Sequence, residues 1–275
     1  MIDTSTVTVS TLEVPGATLH YEIRGRGPLL ALHAAPMDAD AFAPVAELLA
    51  DEYTVVTGDP RGIHRSLVEH PDRDVTPDGR ADDLAAVLTH LDLGPARVFG
   101  SSGGAVSAVS MLQRHRDLVH TVIAHEPPLA ELLPDHDEIL RETTEMVATY
   151  LSGDRVGAWR QFLASADIDM PPEVFEMIFG GAIEGQAAAD ERFSFAHMEL
   201  PTTFWQPDLA ALGSARSSLV IGVGEDSAGE MCDRTSRALA AAVGVAVTPF
   251  PGGHIGFAED PVPFAARLRE VLARA

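Results

Sequence analysis

The chain has 275 residues, enough to bury one large core, and carries a formal net charge of −22 with 19 basic residues, all of them arginine. So acidic a surface repels phosphate backbones and anionic membranes, which excludes nucleic acid and lipid surfaces as expected partners. The single cysteine, Cys232, leaves no internal disulfide framework and no multi-cysteine metal site.

The opening stretch MIDTSTVTVSTLEVPG lacks a basic segment followed by a continuous apolar core, and no later run reaches about 18 apolar residues, so a cytoplasmic protein is expected. TVTVSTLEV and ATLHYEIRG alternate polar and apolar residues around the turn PGA, which predicts an antiparallel pair at one sheet edge. The following strands lose their polar face. LLALH (29–33), YTVVTGD (53–59), ARVFGS (96–101), LVHTVIAHE (118–126), SLVIGVGE (218–225) and VAVTPFP (245–251) are short apolar runs, as strands covered on both sides require. Helical patterns separate them: AFAPVAELLAD, PDGRADDLAAVLTHLDL, GAVSAVSMLQRHR, GEMCDRTSRALAAAVG and DPVPFAARLREVLARA. This alternation predicts an α/β fold built on a doubly wound, mostly parallel, eight-stranded sheet.

The alternation breaks once. From Pro127 to about Asp208 the text is helical and rich in Met, Phe and Trp. Residues 1–126 and 209–275 are therefore expected to form the core. Residues 127–208, inserted after the sixth strand, are expected to lie over the carboxyl ends of the strands as a lid, the plainer alternative being extra packing helices away from any ligand.

The chemistry is placed on this frame by the quintet Gly100-Ser101-Ser102-Gly103-Gly104, which follows an apolar strand and opens a helix of small residues. Read as G-x-S-x-G, it puts Ser102 on a sharp strand-to-helix bend, where a nucleophile's hydroxyl is exposed and the helix amino terminus favours developing negative charge. Ser101 is the inert member of the pair. A serine hydroxyl needs a general base, and His254 lies in the glycine-bearing loop FPGGHIGFAEDP after the last apolar run. The orienting acid has two candidates. Glu126 ends the strand beside the nucleophile strand, and Pro127 restricts it to extended backbone; Asp226 ends the next strand in IGVGEDSAG. Two backbone N–H groups should face the developing oxyanion, from Gly103 and from Ala35, because the preceding strand ends at His33 and Pro36 has no N–H. His33 is expected to anchor that turn. Cys232, in a helical stretch without turn geometry, reads as packing. Within FAHMELPTTFWQPDL (195–209), Met198, Phe204 and Trp205 are candidates to line an apolar substrate pocket, though the aromatics could equally attach the lid to the core.

These residues carry a family resemblance over essentially the whole chain. LHAAP resembles the His-Gly-x-Pro oxyanion loop of the α/β-hydrolase superfamily, with Ala34 in place of the usual glycine. GDPRGIHRS resembles its D-x-R-G-x-G-x-S stretch, with His64 replacing a glycine. The combination GSSGG and HEPP is similar to a branch that includes the resorcylic lactone (zearalenone) hydrolases, in which the glutamate after the sixth strand is the acid; the resemblance implies Glu126 rather than Asp226.

The expectation is a serine hydrolase that cleaves a carboxylic ester or lactone of an apolar small molecule through an acyl-enzyme, with no cofactor and no metal. A carbon–carbon or amide hydrolase on the same residues, or a non-catalytic small-molecule binder on the same fold, is the alternative. An aspartate-nucleophile epoxide hydrolase or dehalogenase is disfavoured by the serine at the bend. A homodimer stays open as the oligomeric state.

Overall fold

A computed structural model describes residues 7–274; residues 1–6, which begin the stretch read as lacking a leader and include the first residue of the first expected strand, and residue 275 lie outside it. Among the described residues nine strands form one sheet: β1 (Thr8–Val14), β2 (Ala17–Arg24), β3 (Leu29–Ala35), β4 (Thr54–Gly58), β5 (Leu67–Val68), β6 (Ala96–Ser102), β7 (Val119–His125), β8 (Leu219–Gly224) and β9 (Val247–Phe250). Their spatial order is β1-β2-β4-β3-β6-β7-β8-β9. β5, which pairs antiparallel with β2 through two residues, is the strand that the eight-strand expectation lacks; two residues are too few to show a period. β1 and β2 form the expected antiparallel edge, and every neighbouring pair from β4 to β9 is parallel.

Among the described residues twelve α-helices accompany the sheet: α1 (Ala43–Leu49), α2 (Pro77–Leu91), α3 (Gly103–Arg114), α4 (His136–Leu151), α5 (Arg155–Ser165), α6 (Pro172–Phe179), α7 (Gly185–His197), α8 (Glu199–Thr203), α9 (Leu209–Ser214), α10 (Met231–Val243), α11 (Gly256–Glu259) and α12 (Pro261–Leu272). On one side of the sheet the core is built by Ala81 and Leu88 of α2, Val106 and Leu112 of α3, and Leu239 of α10. On the other, Val45 and Leu49 of α1 meet Phe257 of α11 and Phe264 and Leu268 of α12 around Phe99. Two buried faces explain why β3 is buried at all seven positions. Among the described residues no strand interrupts 126–218, and no helix is long and apolar enough to cross a membrane.

The sheet order also fixes where a site can form. After β3 the chain winds to β4 on one side, then crosses back to β6 on the other, so β3 and β6 are neighbours at the point where the winding reverses. Ligands bind outside the carboxyl ends of strands at such a point. The register pairs Ala35 with Ser102 there.

Candidate active site

β3 runs two residues past the expected end at His33, because Ala34 and Ala35 still pair with Ser101 and Ser102. The loop beyond it is pinned from below: Ala39 N–H donates to Asp59 Oδ1 at 2.9 Å, and the same carboxylate accepts from Arg65 through its backbone N–H and its guanidinium. Asp59 and Arg65 belong to the GDPRGIHRS turn. In that turn His64 adopts φ 51°, the left-handed conformation that a glycine takes freely, and its N–H donates to Asp190 of α7 at 2.8 Å. The histidine therefore holds a backbone conformation that glycine takes more readily, and its N–H ties the turn to the helical segment.

The bend at the end of β6 shows why its glycines are needed. A Cβ on Gly100 would strike the Gly104 carbonyl, and one on Gly104 would strike the His33 carbonyl, so α3 lies directly on the backbone of β3 and β6. Ser102 itself sits at φ 54°, ψ −128°, a conformation that L-residues adopt only where the surroundings impose it. It precedes α3 but its hydroxyl makes no capping hydrogen bond, and it lines an open cleft. Ser101 points the other way, buried, with Oγ 3.2 Å from Nδ1 of His125. Gly103, the first residue of α3 and so without an intrahelical partner for its N–H, lines the same cleft, as does Ala35.

His254 reaches this cleft from the loop after β9, where Gly252 takes φ 80°. Its Nδ1 lies 2.6 Å from Glu126 Oε2, and Glu126 Oε1 accepts the Gly224 N–H at 2.7 Å. Glu126 is completely buried. Burial alone would raise its pKa, but the His254 hydrogen bond, nearby positive charge and the Gly224 N–H hold it at about 2. Burial likewise opposes the His254 imidazolium, yet Cys232 and Glu126 beside the ring hold its pKa well above the ordinary value. Since burial pushes the Cys232 thiol up and keeps it neutral, Glu126 is the lasting negative charge in this group. Asp226 is exposed and makes no side-chain hydrogen bond among the described residues. The backbone of Glu126 departs from expectation. Pro127 should keep it extended, but it stands at φ 53°, held by its N–H to the Gly222 carbonyl at 3.0 Å and by the ties of its carboxylate at both oxygens.

The cleft spans about 650 Å³, counting space at its mouth that is open to solvent. Of the three side chains expected to line it, Met198 does, while Phe204 and Trp205 do not. Phe204 packs with Leu133, Ile139 and Met231, and Trp205 lies on the sheet's core with Nε1 donating to Asp78 Oδ1 at 3.0 Å. Both rings attach helix to core because the chain after α8 turns down toward the sheet. Lining residues that sequence reasoning did not find include Phe162 and Ile168, the Thr202-Thr203 pair, and two carboxylates, Glu199 and Glu230. Cys232 is buried as expected of a packing residue, but it also borders the cleft beside His254.

The sheet order and the bend bearing Ser102 define an α/β-hydrolase, and the chain belongs to that family: the profile of the alpha/beta hydrolase fold matches residues 27–156. An uncharacterised hydrolase of Bacillus subtilis (strain 168), YraK, is 30% identical over 270 residues, covering 98% of this chain and 97% of the relative. A zearalenone hydrolase of Bionectria ochroleuca is 32% identical over 126 residues, 44% of this chain and 48% of its own length. Among solved structures, a thermophilic esterase from Thermogutta terrifontis superposes with a TM-score of 0.73 at 23% identity, over 98% of this chain and 99% of that one.

Proposed function

We propose that the protein is a serine hydrolase of carboxylic esters or lactones of small molecules. The observation that carries this reading is the buried Glu126 fixed at 2.6 Å to His254 Nδ1, which leaves Nε2 of the ring for a cleft that Ser102 shares. Ser102 Oγ attacks the carbonyl carbon and its proton passes to His254 Nε2. The oxyanion forms against the N–H groups of Gly103 and Ala35. Collapse expels the alcohol, which takes the proton back from His254, and leaves an acyl group on Ser102. Water, deprotonated by the same histidine, then attacks the acyl carbon; the bond to Ser102 Oγ breaks, Oγ takes the proton back from His254, and the acid leaves. In a lactone, the leaving alcohol and the acid remain one molecule. The hydrolase relatives, including one named for zearalenone and a structural neighbour described as an esterase, support ester and lactone substrates.

In the same reading, residues 127–208 act as a cap. Met198 of this segment packs with Ala35, Ile63 and Val75, so it bridges the helices to the strand end beside the nucleophile. The test is a fluorophosphonate probe read by intact mass, together with turnover of aryl esters and macrolactones. One phosphonyl adduct at Ser102, lost in Ser102→Ala along with a fall in kcat of about 10⁴–10⁶, is expected. Labelling with no turnover of any ester or lactone would remove this reading in favour of an amide or carbon–carbon hydrolase or a non-catalytic binder on the same fold.

A further inference from the structure

The cleft carries polar groups that the proposed reaction does not use. Ser194 of α7 lines it with Glu199, Thr202 and Thr203 of α8, and Glu230, which precedes α10, lines it within the electrostatic reach of His254. Ser194 Oγ donates to Glu199 Oε1 at 3.3 Å. The nearest cation behind this wall is Arg80 of α2, and it is engaged elsewhere: its guanidinium donates to Ser107 Oγ at 2.8 Å, Thr202 Oγ1 at 2.9 Å and the Val75 carbonyl at 3.1 Å. No ion pair joins Arg80 to Glu199 among the described residues. Burial pushes the Glu199 carboxyl up to about 7, countered only in part by Ser194 and the more distant charge of Arg80. Burial raises the Glu230 carboxyl as well.

No arginine lines the cleft among the described residues, and the chain has no lysine. A ligand carboxylate would therefore lose water on entering and meet one cationic side chain, the His254 imidazolium, whose charge Glu126 already balances, while facing two half-buried carboxyl groups that themselves resist ionisation. A neutral ligand meets hydroxyls and carboxyls that can exchange hydrogen bonds with its carbonyl or hydroxyl groups.

We propose that Glu199 and Glu230 make this cleft a charge filter, which admits neutral substrates and turns away those that carry a carboxylate. This rests on the hydrolase reading of the same cleft and specifies its substrate class. The groups that set the charge around Glu199 are Arg80 from α2 and Ser194 from α7, with Glu230, Cys232 and His254 from the α10 and β9 sides of the cleft.

The experiment compares two esters of equal acyl length, 4-nitrophenyl pentanoate and the mono-4-nitrophenyl ester of glutaric acid, whose chain ends in a carboxylate. In the wild type at about pH 8 the neutral ester should lead in kcat/KM by a factor on the order of 10². That ratio should shrink several-fold toward about pH 6, because Glu199 takes up a proton while the glutarate carboxylate stays ionised; protonation of His254 affects both esters alike and cancels. Glu199→Gln should lower the ratio at about pH 8 by roughly tenfold and flatten its pH dependence, and Glu230→Gln should move it the same way. Equal kcat/KM for the two esters, or a ratio that neither variant moves, overturns the proposal. Calorimetry with the non-hydrolysable ketones pentanophenone and 5-oxo-5-phenylpentanoate separates the two readings. Tighter binding of the neutral ketone by a protein that hydrolyses no ester upholds the charge rule and removes the hydrolase. Equal hydrolysis and equal binding of both charge types removes the charge rule and keeps the hydrolase.

Discussion

At Glu126 and His254 a single contact decides two measurable properties. A carboxylate that holds the imidazole in the tautomer with Nδ1–H, and that stabilises the imidazolium, should cost about 10⁴ in kcat when replaced by its amide. Glu126→Gln is therefore expected to lose that much, while Asp226→Asn, at an exposed side chain with no hydrogen bond among the described residues, stays within roughly tenfold. The reverse ranking would remove Glu126 from the mechanism. The same contact sets the pH profile. His254 accepts a proton only when neutral, and its pKa stands well above the ordinary 6.5, so the acid limb of kcat/KM should have its midpoint above pH 6.5. Residual activity in Glu126→Gln should show that limb moved to lower pH, since the lasting negative charge beside the ring is gone. An unmoved limb would mean that the titrating group is not His254. At this scale the sequence was informative wherever chemistry demands a residue type in a turn: Ser102, His254, Gly103 and Ala35 all reach one cleft. It was less informative about backbone. A rule for the residue before proline gave Glu126 an extended conformation, and three hydrogen bonds to distant elements impose another.

Among the elements, the sheet was readable because strands buried on both faces have to be continuous apolar runs, and β1 and β2 because polar and apolar residues alternate along them, although in β2 the polar face is buried too, around His20, Glu22 and Arg24. The helices between β7 and β8 obey no comparable rule. They pack on one another, as Tyr150 of α4 does on Phe195 of α7 with ring centroids 4.1 Å apart, and also on the cleft and on the core, so apolar side chains point in several directions. Which of Met198, Phe204 and Trp205 would face a ligand depended on where the chain turns after α8, and local sequence does not encode that. The structure puts Trp205 between helix and sheet. Trp205→Ala should accordingly lower stability by about 2–3 kcal/mol, somewhat under the range for a fully buried tryptophan, and change KM for bulky and small esters by the same factor. A selective rise in KM for bulky esters at unchanged melting temperature would return the indole to the substrate pocket. Thr202 of α8 has a different standing, because Arg80 joins it to Ser107 of α3; the helical segment and the helix behind Ser102 share one buried cation.

For the whole molecule the excess of negative charge opposes compaction. Arg65, bonded at once to Glu22, Asp40 and Asp59, shows how few cations serve many carboxylates. Raising the salt from about 0.01 M to about 0.15 M shortens the Debye length from about 30 Å to about 8 Å and should raise the melting temperature, as repulsion over the surface is screened more than the buried pairs are. A melting temperature that falls with salt would show that exposed ion pairs outweigh the net charge. One more consequence concerns the dihedral angles of Ser102. A left-handed backbone at a residue with a Cβ costs about 1–3 kcal/mol, and the fold tolerates it because the surrounding strands and α3 leave the bend no other course. Glycine adopts the same angles freely, at a loss of about 0.5–1 kcal/mol for the extra freedom of its unfolded chain. Ser102→Gly should then be inactive and melt at the wild-type temperature or about 2–4 °C above it, so that sturdiness and reactivity are opposed within one pair of angles, and selection for heat resistance alone would erode the proposed nucleophile first.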